Sequence, residues 1–272
     1  MALFRALESA RPPSARLFDD PLASEFLGPA YRFVASMGAP ARWYIDWRWP
    51  GARTSGVART RLIDDYLTAA LKTNIAQVVI LGAGFDTRAY RIPGIERVRV
   101  FEVDHPNTLA ARRAHLPDAA PHIARAAIDF NTGSLTEALH APGFEAEHRT
   151  FFIWEGVTNY LTGAAVGATF DFIGATAAGS RVAFTYVHRD VLRDPSRFPG
   201  GERLMRMLER IGEKWTFGLD PAEVPGFLAQ HGLKLVEDAG SVEYRAKYLP
   251  GPARGYEFYR AALAEVGAAA AP

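Results

Sequence analysis

Hydrophobic positions along this chain change their period several times, and each change marks an element. Gln77 to Leu81 is a short β-branched apolar run closed by Gly82, which predicts a buried strand. Apolar runs at Val98–Val103, Ile123–Ile128, Thr150–Trp154, Arg181–Val187 and Leu233–Glu237 predict five more. Between the runs the spacing lengthens. Residues 54–72 place Val57, Leu62, Ile63, Tyr66, Leu67, Ala70 and Leu71 on one helical face. Further helices are predicted after Pro106, over Leu135–Leu139, over the small-residue stretch Gly163–Gly179, and from Pro221 to Gln230 with Gly232 as its stop. Tyr256–Leu263 predicts a last, antiparallel strand, although its pattern also fits a helix. Strands alternating with helices predict an α/β, doubly wound sheet.

Candidate chemistry gathers at the ends of these strands. Gly82 and Gly84 form a turn that brings the backbone close to something, and Asp86 and Thr87 stand where a helix should start. Asp104 closes the second strand, placed to take a ribose hydroxyl pair. Asp129 and Phe130 close the third, where a carboxylate and a ring can hold adenine; Asp129 can also cap the next helix. Glu155 closes the fourth. Three acids in order point to a ligand at the carboxyl edge of a parallel sheet. A dinucleotide needs a free helix N-terminus for its pyrophosphate, and Asp86 puts a negative charge there. A carboxylate suits a phosphate-free adenosyl ligand with an ammonium and a sulfonium, namely S-adenosylmethionine. Arg59 and Arg61 lie just ahead of the first strand, either within reach of a ligand carboxylate; Arg61 reads better as a surface residue.

Composition narrows the picture. The 272 residues suit one large domain, and 49% hydrophobic residues suffice for its core. A net charge of +1 argues for neither nucleic acid nor an anionic membrane. No cysteine is present, which fits a reducing cytoplasm, and the seven histidines are scattered without metal-ligand spacing. MALFRALESARPP lacks the continuous apolar run of a signal peptide, and no stretch approaches a membrane span. The expectation is a cytoplasmic protein acting on a small molecule, with no metal. Residues 1–53 are rich in proline and aromatics, four of them between Trp43 and Trp49, and predict a helical cap; packing of an arm on the core explains them equally. Residues 54–189 form the core, 190–220 an insertion able to fold over the site, and 221–265 the rest of the sheet. The terminal GAAAAP predicts a tail without regular structure.

Arg59-Thr60-Arg61 with Asp64-Asp65, then VVILGAGFDTRAYR, FEVDHP, Asp129-Phe130 and WEGVTNYLT together resemble the leucine carboxyl methyltransferase family, in its bacterial S-adenosylmethionine-dependent branch. The resemblance is densest over residues 54–162. It implies a class I methyltransferase: a Rossmann-like, doubly wound sheet of seven strands, the last antiparallel, with a helical cap and a lid insertion. It also implies roles. Arg59 would bind the methionine carboxylate, Gly82 and its turn would lie under the methionine, and Glu155 would face the amino group. Asp104 would take the ribose, ahead of Glu102, while Asp129 and Phe130 would hold adenine. Tyr160 matches a position near the acceptor. Little is shared with the phosphatase-modifying enzymes beyond Tyr160, so the acceptor expected is a small molecule.

Methyl transfer to oxygen is the reaction expected. An ionised carboxylate needs no base, whereas a phenol or alcohol does. Tyr160, Tyr186 and His188 are the candidate bases, and the absence of an obvious one favours a carboxylate. Arg5, Arg88 and Arg189 could hold such an acceptor, but read first as surface residues. A nicotinamide-dependent oxidoreductase and a non-catalytic scaffold that kept the fold are the rival readings.

Overall fold

The computed structural model describes residues 1–116, 119–249, 251 and 256–267. Seven strands form one sheet: β1 (Gln77–Leu81), β2 (Arg99–Asp104), β3 (Ile123–Ala127), β4 (Thr150–Trp154), β5 (Arg181–Val187), β6 (Leu233–Gly240) and β7 (Tyr259–Val266). Their order is β3-β2-β1-β4-β5-β7-β6, with β7 antiparallel to both neighbours and the first five parallel. β1 and β4 lie at the centre and are buried along their whole length, which is why both read as unbroken apolar runs.

Alternate residues serve two cores. Val79, Leu81, Phe101, Phe152 and Trp154 face one side. It is covered by α7 (Leu135–His140), α8 (Gly163–Gly174) and α11 (Val224–Gln230). Val78, Ile80, Val100, Phe151 and Ile153 face the other, against Ile63 and Leu67 of α4 (Ala52–Leu71). Chain order reverses between β1 and β4, which opens a crevice at their carboxyl ends.

Several elements differ from expectation for local reasons. The helix expected after the glycine turn is one turn only, α5 (Arg88–Arg91), because Pro93 forces Ile92 out of helical geometry. α6 (Pro106–His115) follows β2. α8 stops at Gly174 instead of Gly179: a Cβ there would lie 1.9 Å from the carbonyl of His231, so the helix end presses against the turn before β6. β6 runs on to Gly240 past an irregularity between Leu235 and Glu237. The pattern gave no sign of α12 (Ser241–Tyr248), which packs Tyr244 on Ala58 and Leu62 of α4. β7 begins at Tyr259, three residues later than predicted, and is a strand.

The N-terminal residues form α1 (Ala2–Ser9), α2 (Pro29–Ser36) and α3 (Ala39–Arg48). Residues 190–220 hold α9 (Asp190–Arg193) and α10 (Gly201–Arg210). Leu204, Leu208 and Trp215 of this insertion pack on Val187 and Phe258. No helix among the described residues is long and apolar enough to cross a membrane. The terminal alanine run, residues 268–272, lies outside the described residues.

Candidate functional site

At the carboxyl ends of β1, β2 and β4 the crevice opens into a cavity of about 610 Å³, lined by Gly82, Gly84, Asp104, Phe130, Glu155 and Gly156 among others. Gly82 has φ +68°, and a Cβ there would stand 2.3 Å from Cγ2 of Val157. The loops after β1 and β4 therefore touch, which only glycine permits. The Gly84 N–H donates to Oδ2 of Asp104 at 2.6 Å, and the His105 N–H to its Oδ1 at 2.6 Å. These bonds aim the Asp104 carboxylate from the end of β2 at the glycine turn.

Beneath the rim lies an ionic network. Glu155 accepts from Nε of Arg59 at 2.9 Å and pairs with Arg88 at 2.9 Å. Arg88 also reaches Asp86 and, at 2.7 Å, Asp64, which in turn binds Arg91 at 2.7 Å. The Arg59 guanidinium stacks on Tyr259, 4.3 Å from the ring centre. Burial alone would raise the Glu155 carboxyl; the guanidiniums of Arg88 and Arg59 outweigh it and hold the group down at about 2. Burial likewise opposes ionisation of Asp86, and Arg88 holds its pKa below the ordinary value.

Arg88 is thus no surface residue: it is 2% exposed because three carboxylates converge on it. Asp86 lines the cavity as expected, but Arg88 balances its charge. What disfavours a pyrophosphate here is the brevity of α5, a single turn with little dipole to offer. Arg5 is also buried, held by Asp20 at 2.7 Å and by the Phe85 carbonyl. Arg61 and Arg189 are surface residues, paired with Asp65 and Glu223. Glu102 is fully buried between Arg112 and Arg125, which leaves Asp104 for a ribose. Phe130 lines the cavity; Asp129, beside it, is exposed and accepts from the Asn131 N–H at 2.9 Å.

A second cavity, of about 470 Å³, joins the first through Met1, Arg59, Gly156, Tyr160 and Glu213. Its walls come from the N-terminal helices and from residues 204–215, and include Phe4, Ile45, Trp49, Leu208 and Trp215. Tyr160 is 40% exposed and donates to Oε2 of Glu213 at 2.8 Å. Burial, with the bond to Glu213, pushes its hydroxyl up to about 12, so it stays protonated at neutral pH. The other two candidate bases lie elsewhere. Tyr186 is buried and donates to Asp238 at 2.7 Å, with its pKa raised by burial and by that bond. Strand parity explains the displacement: Thr185 faces the site, accepting from the Gly156 N–H at 2.8 Å, so Tyr186 faces away. His188 accepts from the Asp190 N–H at 3.1 Å, packs 5.3 Å from Phe198, and lines neither cavity.

The residues fit an adenosyl amino acid. Asp104 and Phe130 border one end of the larger cavity, and Arg59 and Glu155 supply a cation and an anion for an α-amino carboxylate. Sequence reasoning missed Ser55, Asn159 and Glu213, all cavity-lining. Asn159 and Glu213 each sit beside a residue or stretch already singled out, but the sequence gave no sign of which way they point.

The sheet order, with its antiparallel seventh strand, and the cavity at the switch point define the class I methyltransferases, enzymes of the S-adenosylmethionine-dependent kind. The family model of leucine carboxyl methyltransferase matches residues 1–174, and the chain belongs to that family. A Frankia alni protein assigned by name to the S-adenosyl-L-methionine-dependent methyltransferases is 38% identical over 194 residues, 68% of this chain and 66% of the relative. One of the same name from Streptomyces coelicolor is 35% identical over 237 residues, 85% and 80% of the two chains. Among solved structures, a Thermobifida fusca protein described as a methyltransferase aligns with TM-score 0.62 at 18% identity, covering 98% of this chain and 94% of its own. A DUF574 family protein from Streptomyces avermitilis aligns with TM-score 0.61 at 17% identity, covering 95% and 99%.

Proposed function

We propose that this protein methylates a hydroxyl oxygen of a small, largely apolar molecule, with S-adenosylmethionine as donor. The observation that carries the reading is the poverty of cations in the second cavity. Among the described residues lining it, Arg59 is the one basic side chain, and Glu155 already holds it. The Met1 amino group also lines it, but burial and then the neighbouring Arg5 and Arg59 push that group down to about 6, so it is largely uncharged at neutral pH. An acceptor carboxylate drawn into such walls would lose its water without gaining a counter-charge, at a cost of several kcal/mol. A neutral hydroxyl pays far less. The sequence reading favoured a carboxylate because no base was in view; Glu213 now stands where the two cavities meet.

Arg59 and Glu155 would bind the methionine carboxylate and amino group, exchanging part of their mutual pairing for the ligand. Asp104 would accept from the ribose hydroxyls, and Phe130 would lie against adenine. Bound there, S-adenosylmethionine supplies an electrophilic methyl group on a sulfonium. The protein's share is alignment and desolvation, worth on the order of 7–11 kcal/mol in well-oriented systems. Tyr160 would orient the acceptor oxygen, and Glu213 would take its proton as the oxygen–carbon bond forms and the carbon–sulfur bond breaks. The N-terminal helices and residues 190–220 would act as acceptor-binding walls.

Charge balance gives the test. A neutral hydroxyl must release one proton per methyl transferred, and an ionised carboxylate none. Extracts incubated with isotope-labelled cofactor would yield the acceptor by mass spectrometry. A weakly buffered assay with an indicator dye would then count protons. A proton for every turnover is expected; a methyl ester formed without proton release would overturn the reading.

A further inference from the structure

Three side chains of the acceptor cavity, Asn159, Ser55 and Trp215, carry buried polar atoms without a partner among the described residues, and the first two can accept as well as donate. Asn159 is 1% exposed, and both its Oδ1 and its Nδ2 lack a partner. Ser55, from α4, is 3% exposed with an unpartnered Oγ. Both line the cavity. A buried polar atom left unpaired costs about 1–3 kcal/mol, so proteins rarely keep one without a use. Nor is Asn159 a loose residue. Its backbone carbonyl accepts from the N–H groups of Thr216 and Phe217 at 2.8 and 3.4 Å, which ties the turn after β4 to the stretch after α10.

Apart from Arg59 and Glu213, where the two cavities meet, the rest of the wall is largely aromatic and aliphatic, with Phe4, Trp49 and Trp215 prominent. A flat apolar molecule fits such a space. A carboxamide presents an acceptor and two donors on one small plane, and a hydroxyl can do either. Neither neutralises a charge. We infer that Asn159, assisted by Ser55, reads an uncharged oxygen of the acceptor other than the one methylated, and so selects flat aromatic hydroxyl compounds that also bear a carbonyl. The inference deepens the hydroxyl-transfer reading and rests on it. A site built to hydrogen-bond a polar group discriminates strongly against analogues lacking that group, because its own atoms are then left unpaired.

The test uses the whole chain saturated with S-adenosylhomocysteine and three probes: 7-hydroxycoumarin, 2-naphthol and 2-naphthoate. Dissociation constants are measured by calorimetry, at a pH below the ionisation of both hydroxyls. The wild-type chain should bind 7-hydroxycoumarin at least about fivefold tighter than 2-naphthol, the yield of one buried hydrogen bond. It should bind 2-naphthoate worst. Asn159→Leu, close in volume, should shrink the fivefold ratio to under about twofold while S-adenosylhomocysteine still binds as in the wild type. Should that variant lose the cofactor product and so its fold, Ser55→Ala is the smaller change, and it should lower the ratio by at least about twofold. A ratio that survives the substitution, or no binding of 7-hydroxycoumarin to the wild-type chain, overturns the inference. Mass spectrometry of the probe with S-adenosylmethionine separates the two readings. Asn159-dependent binding without methyl transfer sinks the reaction and keeps the recognition; transfer with selectivity indifferent to Asn159 does the reverse.

Discussion

Gly82→Ala puts the contact between the loops after β1 and β4 to a quantitative test. Two costs fall on one methyl group. The backbone at Gly82 sits at φ +68°, where an L-residue costs about 1–2 kcal/mol. The new Cβ also meets Cγ2 of Val157 at 2.3 Å and its Cγ1 at 3.3 Å, an overlap in the range where overpacking costs about 1–3 kcal/mol. The single variant should therefore lose about 3 kcal/mol, read from urea unfolding followed by circular dichroism. Val157→Ala removes both Cγ atoms and leaves only the Cβ at 3.3 Å, so the second substitution should relieve the clash and not the backbone strain. In a double-mutant cycle the pair should couple favourably by about 1–2 kcal/mol. Calorimetry with S-adenosylhomocysteine should show the Gly82→Ala affinity loss partly restored in the double variant. Additivity of the two changes to within about 0.5 kcal/mol would mean the loops do not touch as described, and the reasoning would fail.

Asp104→Ala should weaken S-adenosylhomocysteine by about tenfold or more, the loss of hydrogen bonds to a charged group, and unchanged calorimetric affinity would remove the ribose assignment. Arg59→Met leaves Glu155 with Arg88 alone; breaking a buried pair should cost about 3 kcal/mol in urea unfolding and also lower cofactor affinity, and a loss in neither would refute its place in the network. Glu155, held near 2 against an ordinary value of 4.5, should contribute about 3 kcal/mol of stability. Because its folded-state pKa is depressed, that contribution is present above pH 4.5 and is lost as pH falls towards 2; Glu155→Gln should flatten the acid limb of the stability profile, and an unaltered limb would contradict the network. Glu213→Gln should lower kcat about 100-fold or more with S-adenosylhomocysteine affinity unchanged, if Glu213 takes the acceptor's proton; full activity would exclude it as the base.

The strands were legible because a doubly covered parallel sheet needs unbroken apolar runs, and turns announce themselves by glycine. Acids at the ends of β2 and β4 were legible too, since strand ends at a switch point converge whatever the loops do. Parity was the missing step for Tyr186: its place near the end of β5 put it at the correct edge, and one residue's alternation turned it to the opposite face. Pro93 marks in sequence that α5 must be short, since the residue before a proline is driven out of helical geometry. Arg88 carried no local mark of burial. Its partners Asp64 and Glu155 stand far away in sequence, and only the fold brings a guanidinium and three carboxylates together. Ser55 and Asn159 are ordinary in sequence for the same reason; an unsatisfied amide is a property of its surroundings.

Charge accounting ties the two cavities to one reaction. Arg59, Arg88 and Arg91 are matched by Glu155, Asp86 and Asp64, so the network under the rim is neutral as it stands. The amino acid end of the cofactor is itself a zwitterion and leaves that balance undisturbed. The sulfonium is the extra positive charge. The cavity meets it with Asp104 and Glu213, lining acids that form no ion pair among the described residues. Transfer of the methyl group extinguishes the sulfonium, and these acids then face a neutral thioether. An ionised carboxylate acceptor would have brought its own negative charge into that space and competed with them for the same cation. On the proposed reading a hydroxyl acceptor would instead hand over a proton as the sulfonium is lost, and Glu213 would be the acid with an unmatched charge to receive it. Asp104 and Glu213 would thus favour a positively charged donor and, on the proposed reading, a neutral acceptor for one and the same electrostatic reason.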